Sequence, residues 1–176
     1  MFKKIFLTSC AVVALQFGSV AGAANHQSAS LGSTSTYSIS PGLTFVGSLV
    51  GPSINSYIGI APVDDRNLFI GVDLGLALFF PSGVAMNISI LPTAWYQFAL
   101  PRNPNIKIVA GIEFGPAIGV GSAGTVIGSS VTYELLMRPG FIMEGSNGML
   151  MGADLKFGTL GGVFVFKPQF NLIFQL

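Results

Sequence analysis

The stretch LFIGVDLGLALFF, residues 68–80, interleaves two compositions. Leu68, Ile70, Val72, Leu74, Leu76, Leu78 and Phe80 are all large and apolar. Between them stand Phe69, Gly71, Asp73, Gly75, Ala77 and Phe79, of which four are glycine, alanine or aspartate. Side chains of a strand point alternately to its two faces, so a period of two marks a strand with one greasy face and one cramped, faintly polar face. Strands buried on both sides in a parallel sheet read instead as continuous apolar runs.

The same alternation runs through the chain. Tyr37, Ile39, Leu43, Phe45 and Leu49 alternate with Ser38, Ser40, Gly42, Thr44 and Ser48. A weaker strand carries Ile54, Ile58 and Ile60 in phase. Later segments set Val84, Met86, Ile88 and Ile90 against Ala85, Asn87 and Ser89, and Ile108, Ile112 and Phe114 against Lys107, Gly111, Glu113 and Gly115. Val131, Tyr133, Leu135 and Met137 alternate with Thr132, Glu134 and Arg138, and Leu155 and Phe157 with Asp154 and Lys156. The last strand sets Phe164, Phe166, Phe170 and Phe174 against Lys167, Gln169 and Asn171. The helical spacing i, i+3, i+4 is absent after the N-terminal segment. Eight strands joined by short connections result, which is an all-β, eight-stranded antiparallel up-and-down barrel. Turns are expected at 64–67, 101–105 and 145–148 on one end, and near 51–55, 81–83, 121–129 and 159–162 on the other.

Composition separates two versions of that barrel. The chain has 176 residues, 51% hydrophobic and only 9% charged, against roughly 25% charged in an ordinary soluble domain. Its mean hydropathy is +0.69. A helical span needs about 20 predominantly apolar residues, and nothing beyond residue 25 supplies them. The N-terminal MFKKIFLTSCAVVALQFGSVAGAA has a basic start at Lys3 and Lys4, a short apolar core and the small-x-small site Ala21-Gly22-Ala23. It reads as a cleaved secretory signal peptide, 1–24. Residues 25–36 read as a flexible leader and 37–176 as the barrel domain. Cleavage removes the only cysteine, Cys10, and with it any disulfide or thiol chemistry.

A soluble barrel puts its large apolar residues inside, and a membrane barrel turns them to lipid. The minor face decides. A water-exposed surface carries Lys, Arg, Glu and Asp at roughly 25–35% of positions, whereas this face is mainly Gly, Ser, Ala, Thr, Asn and Gln. Glycine weakens strands, but inside eight staves, where side chains just fill the interior, it leaves room for long charged groups. Asp73, Lys107, Glu113, Glu134, Arg138, Glu144, Asp154, Lys156 and Lys167 all fall on this small-residue parity. They are the candidate lumen charge network, expected to form a salt-bridged plug because a buried unpaired charge is expensive, with an ion path as the alternative. By the same parity Ile112→Lys should impair assembly and Gly111→Ser should be mild. Pro41, Pro62, Pro92, Pro116, Pro139 and Pro168 fall on the lipid parity inside the strands, where bulges are expected.

Chemistry finds little footing. The only histidine is His26, in the leader, and a general base must reach its nucleophile. No residue pattern points to catalysis, a metal or another cofactor, and no basic patch points to nucleic acid. The expectation is a non-enzymatic barrel, structural or surface-interacting. A narrow channel or conduit for small or apolar molecules, and a secreted soluble barrel with an apolar ligand, remain the alternatives.

The signal peptide, the eight alternating strands and the closing FNLIFQL, Phe170–Leu176, resemble the small outer-membrane barrels of Gram-negative bacteria, the group of the OmpA membrane domain, OmpX and OmpW. The resemblance covers the whole mature chain and is one of architecture. It implies residence in the outer membrane with lipid as the surrounding partner, and both termini in the periplasm. It also implies recognition of the C-terminal strand by the barrel-assembly machinery. The family usually ends on an aromatic residue; this chain ends on Leu176, with Phe174 two before it.

Overall fold

The computed structural model describes residues 34–62, 67–80, 84–123, 126–145 and 149–175. The expected signal peptide, the leader as far as residue 33, the turn residues 64–66, 81–83 and 146–148, and Leu176 lie outside the described residues. The strands are β1 (Thr34–Val46), β2 (Leu49–Ala61), β3 (Leu68–Phe79), β4 (Val84–Leu100), β5 (Asn103–Ala123), β6 (Val126–Met137), β7 (Gly140–Glu144), β8 (Leu150–Leu160) and β9 (Val163–Gln175). β1 opens three residues ahead of the expected barrel boundary, because Thr36 already pairs with Gly59 on β2 and Gln175 on β9.

All pairings are antiparallel, and β1 pairs with β9 to close the sheet into a ring. β6 and β7 are two halves of one stave, since both pair with β5 on one side and β8 on the other. The ring therefore has eight staves. Partners followed through Thr36, Gly59, Gly71, Thr93, Glu113, Leu136, Gly158 and Val165 return to β1 at Val46. That displacement from position 36 to position 46 is the stagger that closure demands, with strands tilted by about 40°.

Four of the six prolines lie in strands without the expected bulges, and Pro62 falls just past the end of β2. Pro41 pairs with Ile54, Pro92 with Val72, Pro116 with Tyr133 and Pro168 with Leu155, all in unbroken register. On their other flanks the ladders lapse, at 90–92 against 114–116 and around Pro41 and Pro168. Proline lacks one N–H, and in an antiparallel strand that group faces one neighbour only, so one flank is spared. The register shift lies elsewhere, at Ala99/Leu100. Pro139 does divide its stave. Its halves keep one register against β5, Met137 on Ile112 and Gly140 on Val109. Arg138 N–H donates to Gly111 O at 2.8 Å, and Leu155 N–H to Pro139 O at 2.9 Å, across the break.

Three connections differ from the expected ones: of 101–105 only 101–102 is turn, since β5 starts at Asn103. Residues 51–55 are strand, with Pro52 paired to Leu43, and the turn is Gly47–Ser48 with Gly47 at φ 57°. Strand also runs through most of 121–129, as far as Ala123 and again from Val126. The hairpin at 161–162 uses two glycines, at φ 57° and 86°, a conformation that glycine takes without strain.

The two faces separate as their composition requires. On β5, Val109, Glu113 and Ala117 are buried, while Ile108, Ile112 and Phe114 are about half exposed. Across the described residues twenty-seven large hydrophobic side chains are exposed, drawn from every stave. A soluble monomer rarely shows an apolar patch beyond a few hundred Å², so a continuous belt of this kind needs a surrounding apolar medium. Aromatic pairs stand toward both ends of the belt. Tyr37 stacks on Phe174 and Tyr96 leans on Phe98 at the end where β1 starts and β9 finishes. Phe45 meets Phe166 toward the other, while Phe114, next to Glu113 in the chain, stacks on Tyr133 within the belt. Such rims are the girdles of membrane barrels.

Candidate functional site

Inward positions come at every second residue, so each stave delivers its side chains to the lumen at steps fixed by the stagger. At mid-height these steps bring charge together. Lys156 on β8 places Nζ 2.6 Å from Asp73 Oδ2 on β3 and 2.8 Å from Glu113 Oε1 on β5. Arg138, at the break between β6 and β7, places Nε 2.5 Å from Asp154 Oδ2 on β8 and an outer nitrogen 3.7 Å from Glu113 Oε1. Amides extend the layer: Asn55 Nδ2 donates to Asp73 Oδ1 and Gln169 Nε2 donates to Asn55 Oδ1, both at 2.6 Å. Each of these charged side chains is at most 2% exposed. A second pair, Lys167 Nζ with Glu134 Oε1 at 2.5 Å, stands apart from this network.

Apolar residues close in on both sides of the charged layer. Toward the end where β1 starts lie Tyr57, Ala61, Phe69, Trp95, Val109, Ile142, Leu150 and Ile173, all buried. Trp95 stacks on Phe69 with ring centroids 4.1 Å apart and meets Tyr57 edge-on at 5.8 Å. The Arg138 guanidinium lies 5.0 Å above the Trp95 ring, a cation–π contact that ties the apolar layer to the charged one. On the other side Leu91, Leu136 and Val165 are buried with Val46 and Leu160 packed against them.

Glycines serve these rings more than the long charged groups. Gly59 and Gly71 are partners across β2 and β3, and a Cβ on either would strike the Tyr57 ring or its hydroxyl. A Cβ on Gly111 would meet the Cβ of Trp95 at 2.5 Å and Ala94 O at 2.9 Å. Gly111→Ser is therefore not the mild change that parity alone implies.

Of the nine charged residues singled out in the sequence, Asp73, Glu113, Arg138, Asp154 and Lys156 form the central network, and Glu134 and Lys167 the second pair. Glu144 is a correction. It keeps lumen parity but is exposed at the last position of β7, beyond the end of the enclosed lumen. Lys107 is half-exposed near the same rim, with Val109 between it and the charged layer. Parity fixes the face and leaves depth open. Asn55 and Trp95 were not singled out, although both share the inward parity of the charged groups.

The central layer holds three carboxylates, Asp73, Glu113 and Asp154, against two cations, Arg138 and Lys156. Among the described residues no group of three or more His, Cys, Asp or Glu is arranged to hold a metal. Buried ion pairs of this kind add little net stability, but removing one partner strands the other.

No family model matches the sequence, and no curated protein matches it in sequence. Solved structures do match in shape. The crystal structure of Neisserial surface protein A superposes with a TM-score of 0.66 at 15% identity, covering 82% of this chain and 97% of that one. The N-terminal β-barrel domain of Pseudomonas aeruginosa OprF gives 0.50 at 13% identity, over 79% of this chain and 97% of that one. Ail, the attachment invasion locus protein of Yersinia pestis, gives 0.50 at 12% identity, over 82% and 100%. At such identities the likeness is one of fold. That fold is the small eight-stranded transmembrane β-barrel, of the OmpA and OmpX kind.

Proposed function

We propose that the chain is a non-enzymatic integral protein of the bacterial outer membrane whose lumen is closed by its own side chains. The observation that carries the reading is the inversion of faces: isoleucine, leucine and phenylalanine half-exposed on every stave, arginine, lysine and carboxylates fully buried. The exposed apolar belt supports lipid as the surrounding partner, and disfavours a soluble barrel with its greasy face inward. The described ring-shaped neighbours support the outer membrane as the compartment.

Closure is supported by the layering. An ion crossing the lumen would have to pass Trp95 and its apolar neighbours, displace Lys156 and Arg138 from their carboxylates, and then pass Leu91, Leu136 and Val165. The role that fits is a structural one. Two of the connections at the end away from the start of β1 are the two-residue turns 47–48 and 161–162, which leave little to grip a surface partner. Histidine-dependent catalysis finds no support: the chain's one histidine is His26, outside the described residues.

The test is electrophoresis of the membrane fraction with and without boiling. The proposal expects the protein in the outer-membrane fraction, migrating at a different position until heated. Recovery of the folded protein wholly in the soluble fraction would refute it.

A further inference from the structure

We propose that the folded barrel holds one proton in its central charged layer, on the Glu113 carboxyl, as the counter-charge the side chains do not supply. Among the described residues four carboxylates are buried, on Asp73, Glu113, Glu134 and Asp154, against three cations, on Arg138, Lys156 and Lys167. Lys167 and Glu134 satisfy each other at 2.5 Å, so the deficit belongs to the central layer. A full uncompensated charge away from water is so unfavourable that a titratable group gives it up by taking a proton.

Geometry selects the carboxyl. Asp154 takes Arg138 Nε head-on at 2.5 Å. Asp73 takes Lys156 on one oxygen and Asn55 on the other, both at 2.6 Å. Glu113 shares that same Lys156 and reaches Arg138 only at 3.7 Å. Its Oε2 is buried with no hydrogen-bond partner, as Asp154 Oδ1 also is, but Asp154 holds Arg138 Nε at 2.5 Å while Glu113 only shares its cations. Glu113 Oε2 is where a proton is accommodated. A metal ion fits poorly, since Lys156 Nζ already stands 2.8 Å from the other oxygen. The charged groups around Glu113 are Asp73 from β3, Arg138 from the β6–β7 break and Lys156 from β8, with Asp154 of β8 behind Arg138. Its register partners on β4 and β6 are the uncharged Thr93 and Leu136, and β9 adds the uncharged Gln169 through Asn55, with Lys167 engaged by Glu134.

The inference rests on the sealed lumen proposed above, and its consequence has a definite sign. The folded barrel binds one proton that the unfolded chain has released at neutral pH, so stability falls as pH rises. For one linked proton the unfolding equilibrium constant rises by about tenfold per pH unit while the difference persists.

The experiment is guanidinium unfolding of the detergent-refolded barrel between pH 6 and 9, read by Trp95, the only tryptophan. Acrylamide quenching of Trp95 in the folded state is measured alongside. The wild type should lose stability across this range. Glu113→Gln should unfold with no dependence on pH, and so should Asp73→Asn, which balances the layer at two acids and two cations without touching Glu113. A flat wild-type profile with Trp95 shielded overturns the proton while leaving the sealed lumen standing. Free quenching of Trp95 in the folded barrel overturns both. A midpoint that follows the exchange of sodium for potassium, rather than pH, overturns the proton in favour of a bound metal cation.

Discussion

Lys156 and Asp73 stand 83 residues apart in the chain and 2.6 Å apart across the lumen. Their staves, β8 and β3, lie on opposite sides of the eight-stave ring, with three staves between them in either direction. The contact therefore spans the interior, and Lys156 reaches on to Glu113 of β5 at 2.8 Å. One ammonium joins three staves that share no hydrogen-bond ladder.

Lys156→Met should thus be severe. It leaves Asp73 and Glu113 buried without their shared partner, and breaking a buried pair in this way costs about 3–5 kcal/mol. Combining it with Asp73→Asn removes part of the stranded charge, so the double variant should lose less than the two single losses added together. Denaturant titration of the refolded proteins checks this; strictly additive losses would show that the two groups do not act on each other.

The lipid-facing assignment is tested on one strand. Ile112 is 54% exposed on β5, and Ile112→Lys should destabilise the barrel by about 2–4 kcal/mol if it lies near the bilayer midplane. Gly111→Ser should also impair folding, by forcing Trp95 and Ala94 aside, and should disturb Trp95 emission. Gly121→Ala is the benign control, because an added Cβ there meets only Ala85 at 3.6 Å and beyond. Folding yields into lipid vesicles should rank Gly121→Ala well above the other two. Equal yields for all three would undo the inside and outside faces.

The plug is tested from its two ion-paired groups. Glu134→Gln leaves Lys167 without its carboxylate, and Arg138→Gln releases Asp154 and Glu113. Each should admit water to the lumen and raise conductance in a planar bilayer above the wild type. Unchanged conductance in both variants would mean that apolar layers alone seal the barrel.

Much of this was legible in the sequence, because membrane barrels write their faces in a period of two. The strand 68–79, with Asp73 inward and Ile70 and Val72 outward, lies as its composition dictates. What stayed hidden was depth. Lys107 and Glu144 share a face with Lys156, yet only the stagger from Thr36 to Val46 says that they end near the rim while Lys156 reaches the middle. Trp95 and Phe69 were hidden for a related reason. Large apolar residues on the inward parity break the simple rule that greasy means lipid, and they lie inward because Gly59, Gly71 and Gly111 leave space for rings. The prolines misled in the other direction. Pro41, Pro92, Pro116 and Pro168 each remove a donor on one flank alone, which local sequence does not reveal, so in-register strands looked like candidates for bulges.

The central claim is a transmembrane barrel sealed by its own interior, and single-channel recording of the purified wild-type protein in a planar bilayer tests it most directly. The account predicts insertion without steady conductance steps across the physiological voltage range, with steps appearing once Arg138 is replaced by glutamine. Stable, ohmic conductance from the wild type would contradict it, and would make Asp73, Glu113 and Lys156 the lining of a path.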